Sequence, residues 1–150
     1  MIDVWCRGSI KEGLGHIIRS ITLVNLLKKK KFKVNLVIES DQFIRSSLKN
    51  INIVCKFIKL NESFLKINSK NKICIIDRFR YNNIPINFLK EKYEKCIFFD
   101  ELKKIKFFNK LTCKDIIIQS QLTSKKKIKK HNFTYLSGLK YFVVNKKKKI

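Results

Sequence analysis

Apolar positions along the chain fall into short continuous runs, separated by stretches in which they recur every three or four residues. Ile2-Asp3-Val4-Trp5-Cys6 is the first run, and Ile17, Ile21, Val24 and Leu27 then mark one face of a helix. Further strands are expected at Lys33–Ile38, Ile51–Ile58, Lys72–Asp77, Cys96–Phe99 and Asp115–Gln119. Lys72–Asp77 is the clearest of these, an unbroken apolar run ending in an acid, as a strand buried on both faces requires. Short helices are expected between the strands. Asp41 caps one running through Leu48, and Asn61 caps another that carries Phe64, Leu65 and Ile67. Pro85 opens a third, whose apolar face holds Ile86, Leu89 and Tyr93. This alternation predicts an α/β fold: a Rossmann-like parallel sheet with helices on both faces, joined by right-handed crossovers. No internal repeat or flexible linker divides the chain, so residues 1–150 read as a single domain.

Composition changes this picture little. Hydrophobic residues make up 45% of the 150, enough for a core. The net charge of +24, from 35 basic and 11 acidic residues, invites a nucleic-acid reading. However, the chain is saturated with Lys, Ile and Asn, the residues that AT-rich codons encode. Its lysines are spread over helix faces and loops rather than gathered with aromatics in one element, so nucleic acid is not the expected partner. Lys28–Lys31 closes the first helix, where cations suit the dipole. Ser124–Lys130 reads as a loop, and the segment Asn132–Val144 beyond it changes character without a clear element. The five cysteines form no Cys-x-x-Cys pair and lie mostly in or beside apolar runs, which predicts reduced, buried thiols. No apolar run reaches the ~20 residues of a membrane span, and no basic region precedes an apolar stretch at the start. A cytoplasmic protein is the expectation.

The candidate chemistry sits in Glu12-Gly13-Leu14-Gly15-His16-Ile17-Ile18-Arg19, the turn between the first strand and the first helix. In open α/β sheets ligands bind outside the carboxyl ends of the strands, where such turns lie. Gly13 and Gly15 permit positive φ and close approach to the backbone. His16 falls in the first helical turn, beside unpaired N–H groups whose field disfavours imidazolium. A neutral imidazole is what a general base needs near neutral pH. Glu39, at the end of the second strand, stands where Rossmann-type domains hold an acid for a ribose.

The segment Gly13–Arg19, a few residues after Arg7, resembles the opening of the UDP-2,4-diacetamido-2,4,6-trideoxy-β-L-altropyranose hydrolases of pseudaminic acid biosynthesis. Spore-coat polysaccharide proteins share that opening, and the family looks like two-domain GT-B proteins, cousins of the MurG-type glycosyltransferases. Ile75-Ile76-Asp77, Phe98-Phe99-Asp100-Glu101, Asp115–Gln119 and Gly138–Val144 resemble later stations of the family's N-terminal half, in the same order. The resemblance implies a GT-B N-terminal domain that releases UDP from a trideoxy sugar with water as nucleophile. It implies His16 as the catalytic residue, with Arg7, Gly13, Gly15, Arg19, Asp77, Phe79, Tyr81 and Asp100 binding substrate, and no cofactor or metal.

The chain also departs from the family pattern. The loop after Arg7 is short and lacks the acid that usually follows the arginine. Phe79 stands where a tyrosine hydroxyl is expected, with Tyr81 as its substitute, and Gln119 and Gln121 stand where asparagines are common. The sequence matches only the first half of a family protein, so the UDP-binding C-terminal domain has no counterpart in it. The expected partners are therefore a UDP-sugar and a separate C-terminal GT-B half, docking on an exposed apolar patch. The alternatives are half of a split GT-B glycosyltransferase and a truncated, non-catalytic binding module.

Overall fold

Seven strands run parallel in one sheet: β1 (Ile2–Gly8), β2 (Val34–Ser40), β3 (Lys56–Lys59), β4 (Ile73–Asp77), β5 (Lys95–Phe99), β6 (Ile116–Gln119) and β7 (Thr134–Ser137). The computed structural model describes residues 1–49, 51, 53–60, 72–78, 84, 86–99, 107–119 and 132–137. The spatial order is β3-β2-β1-β4-β5-β6-β7. The chain thus steps outward from β1 to β3, returns to lay β4 on the other side of β1, and continues outward. The reversal falls between β1 and β4, and that is where the carboxyl ends of an open α/β sheet leave a crevice.

Helices α1 (Gly15–Lys29), α2 (Gln42–Ser47) and α3 (Ile86–Lys92) cover the two faces. Side chains alternate across a strand, so each strand feeds two cores. Val4, Cys6, Leu36, Ile38, Ile75 and Phe99 pack with Ile17, Ile21 and Val24 of α1 and Ile44 of α2. Trp5, Val37, Cys74, Ile76, Cys96 and Phe98 pack on the other face with Ile86 and Leu89 of α3. The α/β architecture with helices on both faces is therefore as the periodicity predicts. Among the described residues no helix is long and apolar enough to cross a membrane.

Several boundaries differ from expectation. The third strand is shorter than Ile51–Ile58. The Ile51 amide bonds to the Leu48 carbonyl at 3.0 Å and the Ile53 amide to the Ile51 carbonyl at 2.7 Å, so these donors are used locally. Pairing with β2 starts only at Lys56, opposite Val37, while Ile51, Ile53 and Cys55 still pack on the α1-side core. The sequence carries no clear strand signal at β7, because it is short and its side chains are at most half-buried, which weakens the alternation. Asp41 caps α2 as expected, its carboxylate accepting from the Ile44 amide at 2.9 Å. The helix after Asn61 and the position of Pro85 lie outside the described residues.

Two buried polar groups hold the layers in register. Tyr93 donates to Asp3 at 2.8 Å across the bottom of the sheet. Asp115, just before β6, accepts from the Cys96 amide at 2.9 Å and the Thr112 amide at 2.8 Å, and pairs with Lys90 of α3. Burial works against its charge, but Lys90 and the two amides outweigh burial and hold the carboxyl below the usual range. A depressed folded pKa gives stability that is complete above the unfolded value, about 3.9, and is lost as pH falls through the folded one. Asp115→Asn should therefore lower stability by about 1–3 kcal/mol at neutral pH. The gap should begin to narrow below about pH 4 and close as pH falls through the lowered folded value. Urea unfolding at both pH values checks this, and a pH-independent gap contradicts it.

All five cysteines are free, and Cys6, Cys74 and Cys96 are buried. Burial, with Asp115 nearby, pushes the Cys96 thiol up to about 12, and burial raises Cys6 and Cys74 as well. Only exposed Cys113 should react rapidly with iodoacetamide in the native protein, with half-buried Cys55 slower. Mass spectrometry of the labelled chain reads the order directly. Rapid native labelling of Cys74 or Cys96 would contradict the packing described.

Candidate functional site

The turn after β1 is built by Ser9 and Gly13. The Gly13 and Glu12 amides donate to the Ser9 carbonyl at 2.7 and 3.1 Å, and the Ser9 hydroxyl accepts from Glu12 at 3.2 Å. Closing this loop needs φ +75° at Gly13, a left-handed conformation that glycine adopts without strain. Gly15 has no such φ. It is the first residue of α1, and a Cβ there would meet nothing within 4 Å. Gly8 matters in a way the sequence did not suggest: a Cβ on it would come 2.6 Å from Ile17 Cδ1 and 2.8 Å from the Gly13 carbonyl oxygen. The start of α1 therefore rests directly on the end of β1.

That contact sets His16 over the switch point. Asp77, the last residue of β4, projects to the α1 side of the sheet and is 2% exposed. Its Oδ1 lies 2.7 Å from His16 Nδ1. Arg19 Nε donates to Oδ2 at 2.7 Å and its terminal nitrogen to Oδ1, while the Ser20 hydroxyl donates to Oδ2 at 3.3 Å. His16, Arg19 and Ser20 are spaced i, i+3 and i+4, so one helical face presents all three to a single carboxylate. A carboxylate accepts only, so Nδ1 must carry the proton. The approach of the Arg19 terminal nitrogen to Nδ1, 3.1 Å, then follows from both groups sharing Oδ1. In that tautomer the His16 lone pair is on Nε2, on the far side of the ring from Asp77. The His16 side chain keeps 20% of its surface in solvent, above an almost fully buried carboxylate. Arg19 supplies the countercharge to the Asp77 carboxylate. The Arg19 guanidinium also lies 5.4 Å over the Phe99 ring, which fixes its plane.

A second cluster occupies the opposite face of the same strand ends. Arg7 and Glu39 are register partners on β1 and β2, and Arg7 Nη1 donates to Glu39 Oε1 at 3.0 Å. Arg7 Nε donates to Glu12 at 3.0 Å, and Arg78 pairs with the other Glu39 oxygen at 3.3 Å. Glu39 is thus buried between two arginines rather than presented as a ribose ligand. Glu12 reaches back to Arg7 across the short loop. The crevice among Trp5, Cys6, Arg7, Glu39, Ile76 and Arg78 has no room for a water molecule.

Of the residues singled out from sequence, His16, Arg19 and Asp77 converge in one network, and Arg7 lies one strand face away. Gly13 and Gly15 shape the turn between these two clusters. Phe79, Tyr81 and Asp100 lie outside the described residues, as do Gln121 and Gly138–Val144. Gln119 is buried on β6, and its side chain hydrogen-bonds the Tyr135 hydroxyl of β7. The sequence reading gives no role to Ser20 or Arg78, and none to Glu12 beyond opening the glycine turn. Ser20 was legible from its spacing to His16; Arg78 was not, because its partner comes from another strand. Among the described residues no three His, Cys, Asp or Glu side chains converge as metal ligands. Compared with known proteins, the chain matches no family model, no curated protein and no solved structure.

Proposed function

We propose that this chain carries the catalytic wall of a nucleotide-sugar hydrolase, one that releases UDP from a 2,4-diacetamido-trideoxy hexose in surface-glycan biosynthesis. The observation that supports this most is the buried Asp77 carboxylate 2.7 Å from His16 Nδ1 at the strand-order reversal. A general base needs its lone pair held toward the proton it removes. Asp77 is the positioning residue: it fixes the Nδ1–H tautomer and turns Nε2 outward. His16 Nε2 takes a proton from the attacking water, the water oxygen bonds to the anomeric carbon, and the bond to the UDP oxygen breaks, with UDP leaving as the anion. Positive φ at Gly13 and the open space beside Gly15 let the substrate approach the helix N-terminus, where diphosphate charge is favourable.

A second wall belongs to this reading. Ile10 and Phe43 are 68% and 62% exposed beside the carboxyl edge of the sheet. They are held near each other because Asp41, the cap of α2, also accepts from the Ile10 amide at 2.9 Å. Such an apolar pair next to a site suits a docking partner, here a separate UDP-binding half. The test is UDP release from the altropyranose nucleotide sugar, by the chain alone and mixed with the C-terminal half of a related hydrolase. Release in the mixture, lost in a folded His16→Asn variant, is the expected outcome. Release that needs an acceptor sugar would instead mean a transferase. No release from a folded mixture, or undiminished release by His16→Asn, would overturn the proposal.

A further inference from the structure

We infer that the amino edge of the sheet, together with the carboxyl end of α1, is a docking surface for an anionic lipid bilayer. Residues 28–33 read Lys-Lys-Lys-Lys-Phe-Lys, and all six are exposed. None of these lysines makes an ion pair among the described residues. Phe32 is 53% exposed between two of them, held against the last turn of α1 by its amide bond to the Leu27 carbonyl at 3.1 Å. Lys31 adopts φ +64° at this turn, the one described non-glycine residue in that region, which directs the chain out of the helix and into β2.

The basic character continues along the edge. Lys33 precedes β2, Lys72 precedes β4, Lys95 opens β5 and Lys114 stands two residues before β6. Adjacent strands are about 4.8 Å apart, so this row extends roughly 19 Å from β2 to β6. Most of the acids described at this edge are already occupied, Glu91 in the last turn of α3 being the exposed exception. Asp3 and Asp115 are buried with internal partners, and Glu94 pairs with Lys72 at 3.1 Å. On the outer face of the last turns of α1, Thr22, Asn25, Leu26, Lys28 and Lys29 line a groove of about 450 Å³, with donors and an apolar wall together.

A lysine row alone would suit any polyanion. Phe32 and the exposed Leu26 favour a bilayer, because a phosphate backbone offers no apolar phase to receive them, whereas the headgroup–acyl boundary does. The geometry is also consistent with the rest of the fold. His16 lies at the opposite end of α1, a helix of 15 residues, so a bilayer at the amino edge leaves the carboxyl edge facing water. The surface does not depend on the hydrolase reading and is tested without any activity.

The experiment is co-sedimentation of the whole chain with vesicles of phosphatidylcholine alone and of phosphatidylcholine with phosphatidylglycerol, at low and high salt. Partition should require phosphatidylglycerol and weaken with salt. Each lysine near an anionic surface contributes roughly a factor of five. Lys30→Gln with Lys31→Gln should therefore weaken partition about 25-fold. Phe32→Ser should weaken it several-fold at unchanged charge. Lys11→Gln with Lys59→Gln, at the carboxyl side, removes the same charge and should change it little. Equal loss from both double variants would mean a general effect of net charge and would overturn the proposal. So would an unaltered Phe32→Ser, an absence of partition at low salt, or tighter, Lys30- and Lys31-dependent binding to duplex DNA or RNA.

Discussion

Asp77→Asn should cost more than any other single change, because it removes the one anion on which three α1 side chains converge. An asparagine of the same size offers one acceptor and one donor in place of two acceptors. Its amide nitrogen would face either Arg19 or the His16 Nδ1–H, both donors. One of them must turn away. Arg19 then keeps its charge in a partly buried place without its countercharge, a loss of about 3 kcal/mol, the low end for breaking a buried pair because Arg19 is 22% exposed. Equilibrium denaturation with guanidinium measures it, and a midpoint unchanged from the parent protein would mean the cluster does not fasten α1 to β4. On the proposed hydrolase reading, the same variant should also lose roughly three to four orders of magnitude of UDP release in the reconstituted mixture, as expected when a histidine base is released into the wrong tautomer. Full activity with reduced stability would leave Asp77 a structural residue only.

Gly8→Ala is the second large effect, and it reaches His16 through the backbone. The added Cβ meets the flexible end of Ile17, which can swing aside, and the Gly13 carbonyl, which cannot move without opening the turn. Overpacking of this kind costs about 1–3 kcal/mol. Because the Gly13 turn leads directly into α1, its displacement moves His16 relative to Asp77. Gly15→Ala is the control: its Cβ meets open space, and alanine at the first helical position should be neutral or stabilising by up to about 1 kcal/mol. Thermal unfolding of both variants should separate them by several degrees. Equal melting temperatures would mean that the turn is looser than the contact distances state.

The two carboxylate-centred clusters explain how far the site was legible. Arg19 and Ser20 stand three and four residues after His16, so local helical geometry already placed them on one face. The apolar run ending in Asp77 marks a buried strand, and the site role of Asp77 comes only from the resemblance of Ile75-Ile76-Asp77 to a family segment. The split between clusters was not legible. Asp77 faces α1, while Arg7, Glu39 and Arg78 face the other side, and this follows only from strand period and register once β1, β2 and β4 are adjacent.

The sequence by itself determined the elements whose signals are local: α1 from its apolar stripe, the cap at Asp41, the buried strands β1, β2, β4, β5 and β6, and the α/β class from their alternation. It also marked the glycine turn, since a left-handed residue followed by a helix start is a short-range pattern. Only the tertiary structure decided which strands are neighbours, and so that β4 rather than β2 delivers the acid to His16. It likewise decided that Glu39 is buried between Arg7 and Arg78, that Gly8 is the tight contact instead of Gly15, and that β3 starts at Lys56. The Gly8 contact spans only nine positions and forms once the start of α1 folds back onto β1; for the strand order, the acid that reaches His16 and the burial of Glu39 the physical reason is a longer reach. Contacts between residues 30 to 60 positions apart depend on strand order and side-chain parity, and neither is encoded within the reach of a single helix turn or strand repeat.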